Sequence, residues 1–166
     1  MRWFVIVGVV LSVISPAQPQ KDKTTSGHMA SFTQQQQNDI REAVFRYQFG
    51  HNASIQGSSA AVYCISVENG ADPPDDFMKR FAGFKLPVHR ASDCSTDAYK
   101  GVVEKATGKR GLVFWVKSIK WISQTHAEVA GGYFEDGLSA SHNTYIVSRA
   151  KEGRWRVSKE WMTRLS

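Results

Sequence analysis

The feature that most limits what this chain can become is its second half. From residue 101 onward, segments rich in Val, Ile, Phe, Tyr and Trp follow one another with only short turns between them: "GVVEKA", the turn "TGKR", "GLVFWVKSIKWIS", "THAEVAGGYFED", "SHNTYIVSRA", the turn "KEG" and "RWRVSKEWM". Extended segments joined by connections of this length read as hairpins. The C-terminal half is therefore a four-stranded antiparallel meander entered from a further short hairpin. Such a sheet tolerates water on one face only, so its other face must be covered.

The cover has to come from the first half. "QQQQNDIREAVFRYQFGHN" carries Ile40, Ala43, Val44 and Tyr47 on one helical face, with Phe45 and Phe49 nearly opposite and Gly50 as a stop. A helix apolar on two sides belongs between two surfaces. "AAVYCISVE" reads as a strand closed by "NGADPP". A short second helix in "DDFMKRFAG" is expected to be capped by Asp72, with Pro73 in its first turn. "LPVHRAS" is a brief strand. The expected fold is α+β, with a long N-terminal helix and a short second helix packed on a strongly curved, mostly antiparallel sheet. A curved sheet crossed by a helix makes a cone with an open end, and so a pocket.

Within the meander, Val113 and Trp115 alternate on one side, and Ile119 and Trp121 are expected to continue it past a bend or bulge at Lys117–Ser118. Gly131–Gly132 marks a sharp curve or the close approach of another element. Trp155, Val157 and Trp161 share one face of the last strand by simple alternation, where Trp115, Trp121 and Tyr133 can meet them.

Residues 1–17 are read as a signal peptide, with Arg2, the apolar run "WFVIVGVVLSVI" and small residues Ser15 and Ala17 at the cleavage positions. An uncleaved anchor is the alternative, and membrane contact is expected only through it. Residues 18–33 are a polar, aperiodic tether, within which "SGHMAS" resembles a vector scar, and residues 34–166 form one domain. The protein is thus expected to be exported, secreted or periplasmic. In an oxidising compartment Cys64 and Cys94 are expected to form a disulfide. Closing a loop of about thirty residues stabilises by roughly 3–4 kcal/mol on a chain-entropy argument.

The formal charge is +6, and from Tyr145 onward six basic residues (Arg149, Lys151, Arg154, Arg156, Lys159, Arg164) stand against Glu152 and Glu160. That stripe suits an anionic envelope polymer or a lipid surface, and equally a solvated outer strand. Export argues against nucleic acid as a partner.

The helix-first, sheet-last order and the signature "NTYIVSRAKEGRWRVSKEW" make the chain resemble the nuclear-transport-factor-2-like (cystatin-like cone) superfamily over about residues 35–165. Members commonly begin with two helices where this chain has one, and the cysteine pair is no family hallmark. The resemblance implies a pocket between first helix and sheet, and possible homodimerisation through the sheet's outer face. It implies no particular reaction, because members include isomerases, dehydratases, cyclases and non-catalytic binders.

No serine-hydrolase elbow, H-E-x-x-H, C-x-x-C, phosphate loop or dinucleotide fingerprint is present, so no cofactor is signalled. If Gly137–Ala140 form a hairpin loop, Glu135 falls opposite His142, with Asp136 as the alternative carboxylate. A carboxylate holding an imidazole is the minimal unit for acid–base work; charged residues at a solvated loop tip are the plainer reading. His51 and Asn52 follow the first helix toward the cone's open end, His51 as a buried extension of the Ile40–Val44–Tyr47 face, and "NAS" at 52–54 is a glycosylation sequon. His89 and His126 have no acidic neighbour in register, and no metal site is expected. Candidate pocket linings are Tyr47, His51, Trp115, Tyr133, Tyr145 and Trp161. The leading expectation is a binding or assembly domain for an unknown small molecule or an envelope or protein partner. An isomerase- or dehydratase-type enzyme and a secreted interaction or inhibitor module are the alternatives.

Overall fold

Thr33 opens the first helix, α1 (Gln34–His51), in the computed structural model, which describes residues 32–51 and 60–165. Its hydroxyl accepts the Gln36 N–H at 3.2 Å, while the Gln36 side-chain oxygen accepts the Thr33 N–H at 2.9 Å. That reciprocal pair is a capping box, which satisfies donors the helix start leaves open. Phe32, two residues before α1, stacks on Trp121 at 3.3 Å between ring centroids and so packs with the folded unit. The expected signal segment, the tether up to residue 31 and the Asn52 sequon lie outside the described residues.

After α1 come β1 (Val62–Val67), α2 (Asp75–Met78) running into a 3-10 turn (Lys79–Phe81), and β2 (Val88–Arg90). β3 (Cys94–Asp97) and β4 (Gly101–Glu104) follow, then the long strands β5 (Arg110–Ser123), β6 (His126–Asp136), β7 (Ser139–Arg149) and β8 (Trp155–Leu165). The architecture is α+β. The eight strands make one curved sheet, not closed into a barrel, in the order β2-β1-β5-β6-β7-β8, with the β3–β4 pair joined to β5 through β4. β5 to β8 form the antiparallel meander read from the sequence. β1 runs parallel to both β2 and β5, which the sequence does not disclose.

α1 lies between two surfaces, as its two apolar sides require. Ile40, Val44 and Phe45 are wholly buried. Phe45 meets Phe77 and Phe81 of the covering segment edge-on at 6.2 and 6.1 Å, while Phe49 stacks on Tyr63 of β1 at 4.7 Å and meets Phe114 of β5 at 5.2 Å. Each such ring contributes roughly 2–3 kcal/mol through burial. Arg80 fastens the covering segment to α1 by hydrogen bonds to Asp39 and Glu42, both at 2.8 Å. Asp72 does not cap α2: the cap position is Pro74, and the Asp72 carboxylate accepts the Ser92 N–H instead, at 3.1 Å. The Pro73–Pro74 pair holds the chain extended before the helix and moves its start beyond Asp72's reach.

β1 is buried on both faces because each face has its own cover. Tyr63 and Ile65 join the main core under α1, whereas Val62 and Cys64 join a smaller core with Cys94, Val102, Val113 and Phe134. The Cys64–Cys94 disulfide crosses that second core and ties the β3–β4 hairpin over the sheet's outer face.

Two bulges correct the expected facing of the tryptophans. The β5–β6 register shifts between Val116 and Ser118, and the β7–β8 register shifts beside Ser158, between the Val147–Val157 and Ile146–Lys159 pairs. A single extra residue reverses the phase of everything beyond it. Val113 and Trp115 therefore face outward while Ile119 and Trp121 face the core, and Trp155 packs inward against Trp121 at 5.5 Å while Trp161 faces outward.

Candidate functional site

The C-terminal end of α1 carries two features that can receive a molecule. The first is a cleft of about 320 Å³ lined by Phe49 of α1, Ala60 and Tyr63 at and before β1, Leu112 of β5, and the Phe84–Lys85–Leu86 segment. Phe49, Tyr63 and Leu112 are buried and form its floor. Phe84 tilts against Phe49 at 5.1 Å and against Tyr63 at 6.3 Å, and among the described lining residues Lys85 alone is charged. Burial holds the Tyr63 phenol above its ordinary value. An apolar concavity of this size with one charge selects ligands by shape first and by one polar contact second.

The second feature is a buried polar cluster between α1 and β6–β8. Gln48, with no exposed surface, donates through Nε2 to the Gly132 carbonyl at 3.1 Å and contacts the Tyr145 hydroxyl at 3.1 Å. Gly131 makes this approach possible, since a Cβ there would lie 3.3 Å from Gln48 Nε2 and 3.4 Å from the Tyr145 ring. Ser141, Asn143 and Tyr145 occupy successive inward positions of β7, all buried. Asn143 Nδ2 donates to Glu160 of β8. With both amide nitrogens committed, Gln48 Oε1 and Asn143 Oδ1 find no donor among the described residues, and Ser141 Oγ likewise has no partner among them. Such atoms call for a donor from water or from a guest. Tyr47 closes the cluster, edge-on to Tyr145 at 6.0 Å. Burial first, and then a hydrogen bond to the Glu160 carboxylate, hold the Tyr47 phenol above its ordinary value. Burial does the same more strongly for Tyr145, against the opposing effect of Gln48.

The expected acid–base pair does not form. The β6–β7 turn is Gly137–Leu138, shorter than expected, because Asp136 pairs with Ser139. A bulge at Glu135 then sets His142 opposite Gly132. Glu135 accepts from Ser139 Oγ at 3.1 Å and lies 3.7 Å from Arg110. Asp136 accepts the Leu138 N–H at 2.9 Å and is also near Arg110, at 3.8 Å. His142 is on the outer face, its ring 5.4 Å from that of Trp115.

Of the expected pocket linings, Tyr47 and Tyr145 join the polar cluster. Tyr133 is buried on the inner face, 6.4 Å from Phe114. His51 is exposed, not buried: it stacks on Tyr47 at 4.1 Å and donates through Nδ1 to the Tyr47 carbonyl at 3.0 Å. Trp115 and Trp161 lie on the opposite face and line no inner pocket. His89 does have an acidic neighbour, Glu104, at 3.5 Å. The disulfide brings them together, since Cys64 pairs with His89 across β1–β2 and Cys94 with Glu104 across β3–β4.

Sequence reasoning missed Gln48, Ser141, Asn143 and Glu160. The available signal was Gln48 itself, a polar residue four positions after Val44 on the helix's apolar stripe. Among the described residues, no group of three or more His, Cys, Asp or Glu is placed to hold a metal ion, and no helix is long and apolar enough to cross a membrane. Compared with family models, with curated proteins and with solved structures, the chain matches none.

Proposed function

We propose that this is an exported small-molecule-binding domain whose cleft, between the end of α1 and the sheet, takes an apolar molecule ending in an acidic group. The observation that carries this is the 320 Å³ cleft with its aromatic and aliphatic lining and Lys85, the one charge among its described lining residues. Phe49, Tyr63, Phe84, Leu86 and Leu112 supply contact for an apolar body, and Lys85 supplies a counter-charge for a carboxylate or sulfonate. A bridged cysteine pair is in keeping with an oxidising compartment, and so with secretion or a periplasmic location. The helix laid across a curved sheet is also in keeping with membership of the nuclear-transport-factor-2-like superfamily, the reading under which a pocket stands in this position.

The test is a fluorescence titration with 1-anilinonaphthalene-8-sulfonate, an aromatic body carrying one sulfonate, competed with decanoate. Leu86→Trp, which fills the cleft from a half-buried position, and Lys85→Glu, which reverses its charge, should each weaken binding about tenfold (~1.4 kcal/mol). Binding that neither substitution alters, in variants with unchanged circular dichroism, would sink the reading.

A further inference from the structure

Beyond the end packed under the β3–β4 hairpin, no described residue covers the outer face of β5–β8, and its side chains form an ordered array. One row across the strands reads Trp115, Gly132, His142, Arg164; the next reads Ser118, Ala130, Thr144, Trp161; the third reads Lys120, Glu128, Ile146, Lys159. The centre of this face is therefore Gly132, Ala130 and Thr144, three small residues. Trp115 lies over the first of them, because a Cβ at Gly132 would fall 2.6 Å from its indole ring. On the other side stands Trp161, 38 % exposed, with the Lys159 ammonium 5.6 Å from its ring centroid. The two indoles are three strands and one row apart, roughly 16 Å on strand spacing alone. Lys120, Lys159 and Arg164 surround them against Glu128, and all three basic residues are exposed.

We infer that this face is a docking platform for an anionic oligosaccharide, a chain of sugars bearing carboxylate or sulfate groups. Indole faces stack on the C–H faces of pyranose rings, and two of them at this separation match the reach of a short oligosaccharide. The surrounding ammonium and guanidinium groups pair with the acidic substituents. Ala130 and Thr144, the small residues between the two indoles, leave room for an extended chain to lie flat.

Three other occupants fit less well. A second copy across a two-fold axis would press together two faces that each carry Lys120, Lys159 and Arg164 against Glu128 alone, and like-charged faces brought together cost affinity. A lipid surface calls for protruding aliphatic residues, and the central rows offer only Ile146, half-buried. Nucleic acid would also stack and pair, but the disulfide belongs to a compartment where it is scarce. The platform lies on the opposite side of the sheet from the α1 cleft and stands independently of any ligand there.

The experiment is calorimetric titration of the full chain at two salt concentrations. The probes are a galacturonate hexamer, a heparin-derived hexasaccharide, neutral cellohexaose, an oligothymidylate of twelve nucleotides and phosphatidylglycerol vesicles. The expected result is binding to at least one acidic hexasaccharide, tighter than to cellohexaose, weakened tenfold or more by Trp161→Ala and restored by Trp161→Phe. Lys159→Ala should also weaken it and lower its salt dependence. Trp161 is exposed, so these variants keep the fold, which circular dichroism checks. Failure of both acidic saccharides to bind at millimolar concentration would overturn the inference. So would tighter binding to the oligothymidylate or the vesicles, an unaltered affinity in Trp161→Ala, or a dimer in sedimentation that Trp161→Ala abolishes.

Discussion

The two faces of one sheet are finished in opposite ways. On the inner face α1 seals Leu112, Phe114, Val116, Val129, Tyr145 and Val147, all buried to within 1 % of full occlusion. On the outer face the described residues cover only the end beside β1, through the β3–β4 hairpin and its disulfide, and leave aromatic and basic side chains of the rest exposed. The same four strands supply both faces, so the difference lies in phase, not in composition. Each bulge places one tryptophan of a pair in the core and its fellow outside: Trp121 against Trp115, Trp155 against Trp161. Stability and surface chemistry can then be altered separately, since a substitution on one face leaves the other's contacts in place.

The strongest way to break this separation is a large truncation on the sealed side. Phe114→Ala should cost about 3–5 kcal/mol, because its ring meets Phe49, Tyr63 and Tyr133 and the surroundings refill such a space only in part. Urea unfolding measures it, with Trp161→Ala as the outer-face counterpart expected to cost well under ~1 kcal/mol. Comparable losses for the two would mean that the outer face is a second core and not a free surface. The covered end of the outer face should fall between these extremes. Replacing Cys64 and Cys94 together by alanine, or reducing them, should cost about 2–4 kcal/mol and lower the Tm, because the bond closes a loop of sequence separation 30. Two titratable thiols in the native, unreduced protein would remove the basis of that expectation.

The elements that could be read from the sequence are those whose signal is local. Turn residues and β-branched density marked the meander, the doubly apolar α1 announced its two covers, and the polar Lys117–Ser118 step marked a bulge. What the sequence hid is what depends on counting through an irregularity. Trp155 and Trp161 are six residues apart, an even number that puts them on one face of a regular strand, and one extra residue at Ser158 puts them on two. The Glu135–His142 pairing failed in the same way, through a turn shorter than assumed and a compensating bulge. The parallel pairing of β1 with β5 rests on contacts far apart in sequence, which no local pattern encodes. The polar cluster was half-legible, because Gln48 breaks an apolar stripe, but its partners on β7 and β8 are set only by register.

That cluster yields the smallest and sharpest expectation. Tyr145→Phe removes one contact of Gln48 Nε2, which still has the Gly132 carbonyl to accept from it, so the cost near neutral pH should be about 1 kcal/mol. Alkaline conditions should reverse the order. Burial holds the Tyr145 phenol above its ordinary value, so the folded state keeps a proton that the unfolded state begins to lose near pH 10. Its contribution is complete below that pH and falls by roughly 1.4 kcal/mol per pH unit above it, until the folded phenol itself ionises. The phenylalanine variant has no such loss at this position. The stability difference should therefore shrink above pH 10 and change sign near pH ~11, as followed by urea unfolding at a series of alkaline pH values. Parallel curves for the two proteins would show that the phenol at the centre of the cluster is hydrated, and that the space between α1 and β7 is open to water.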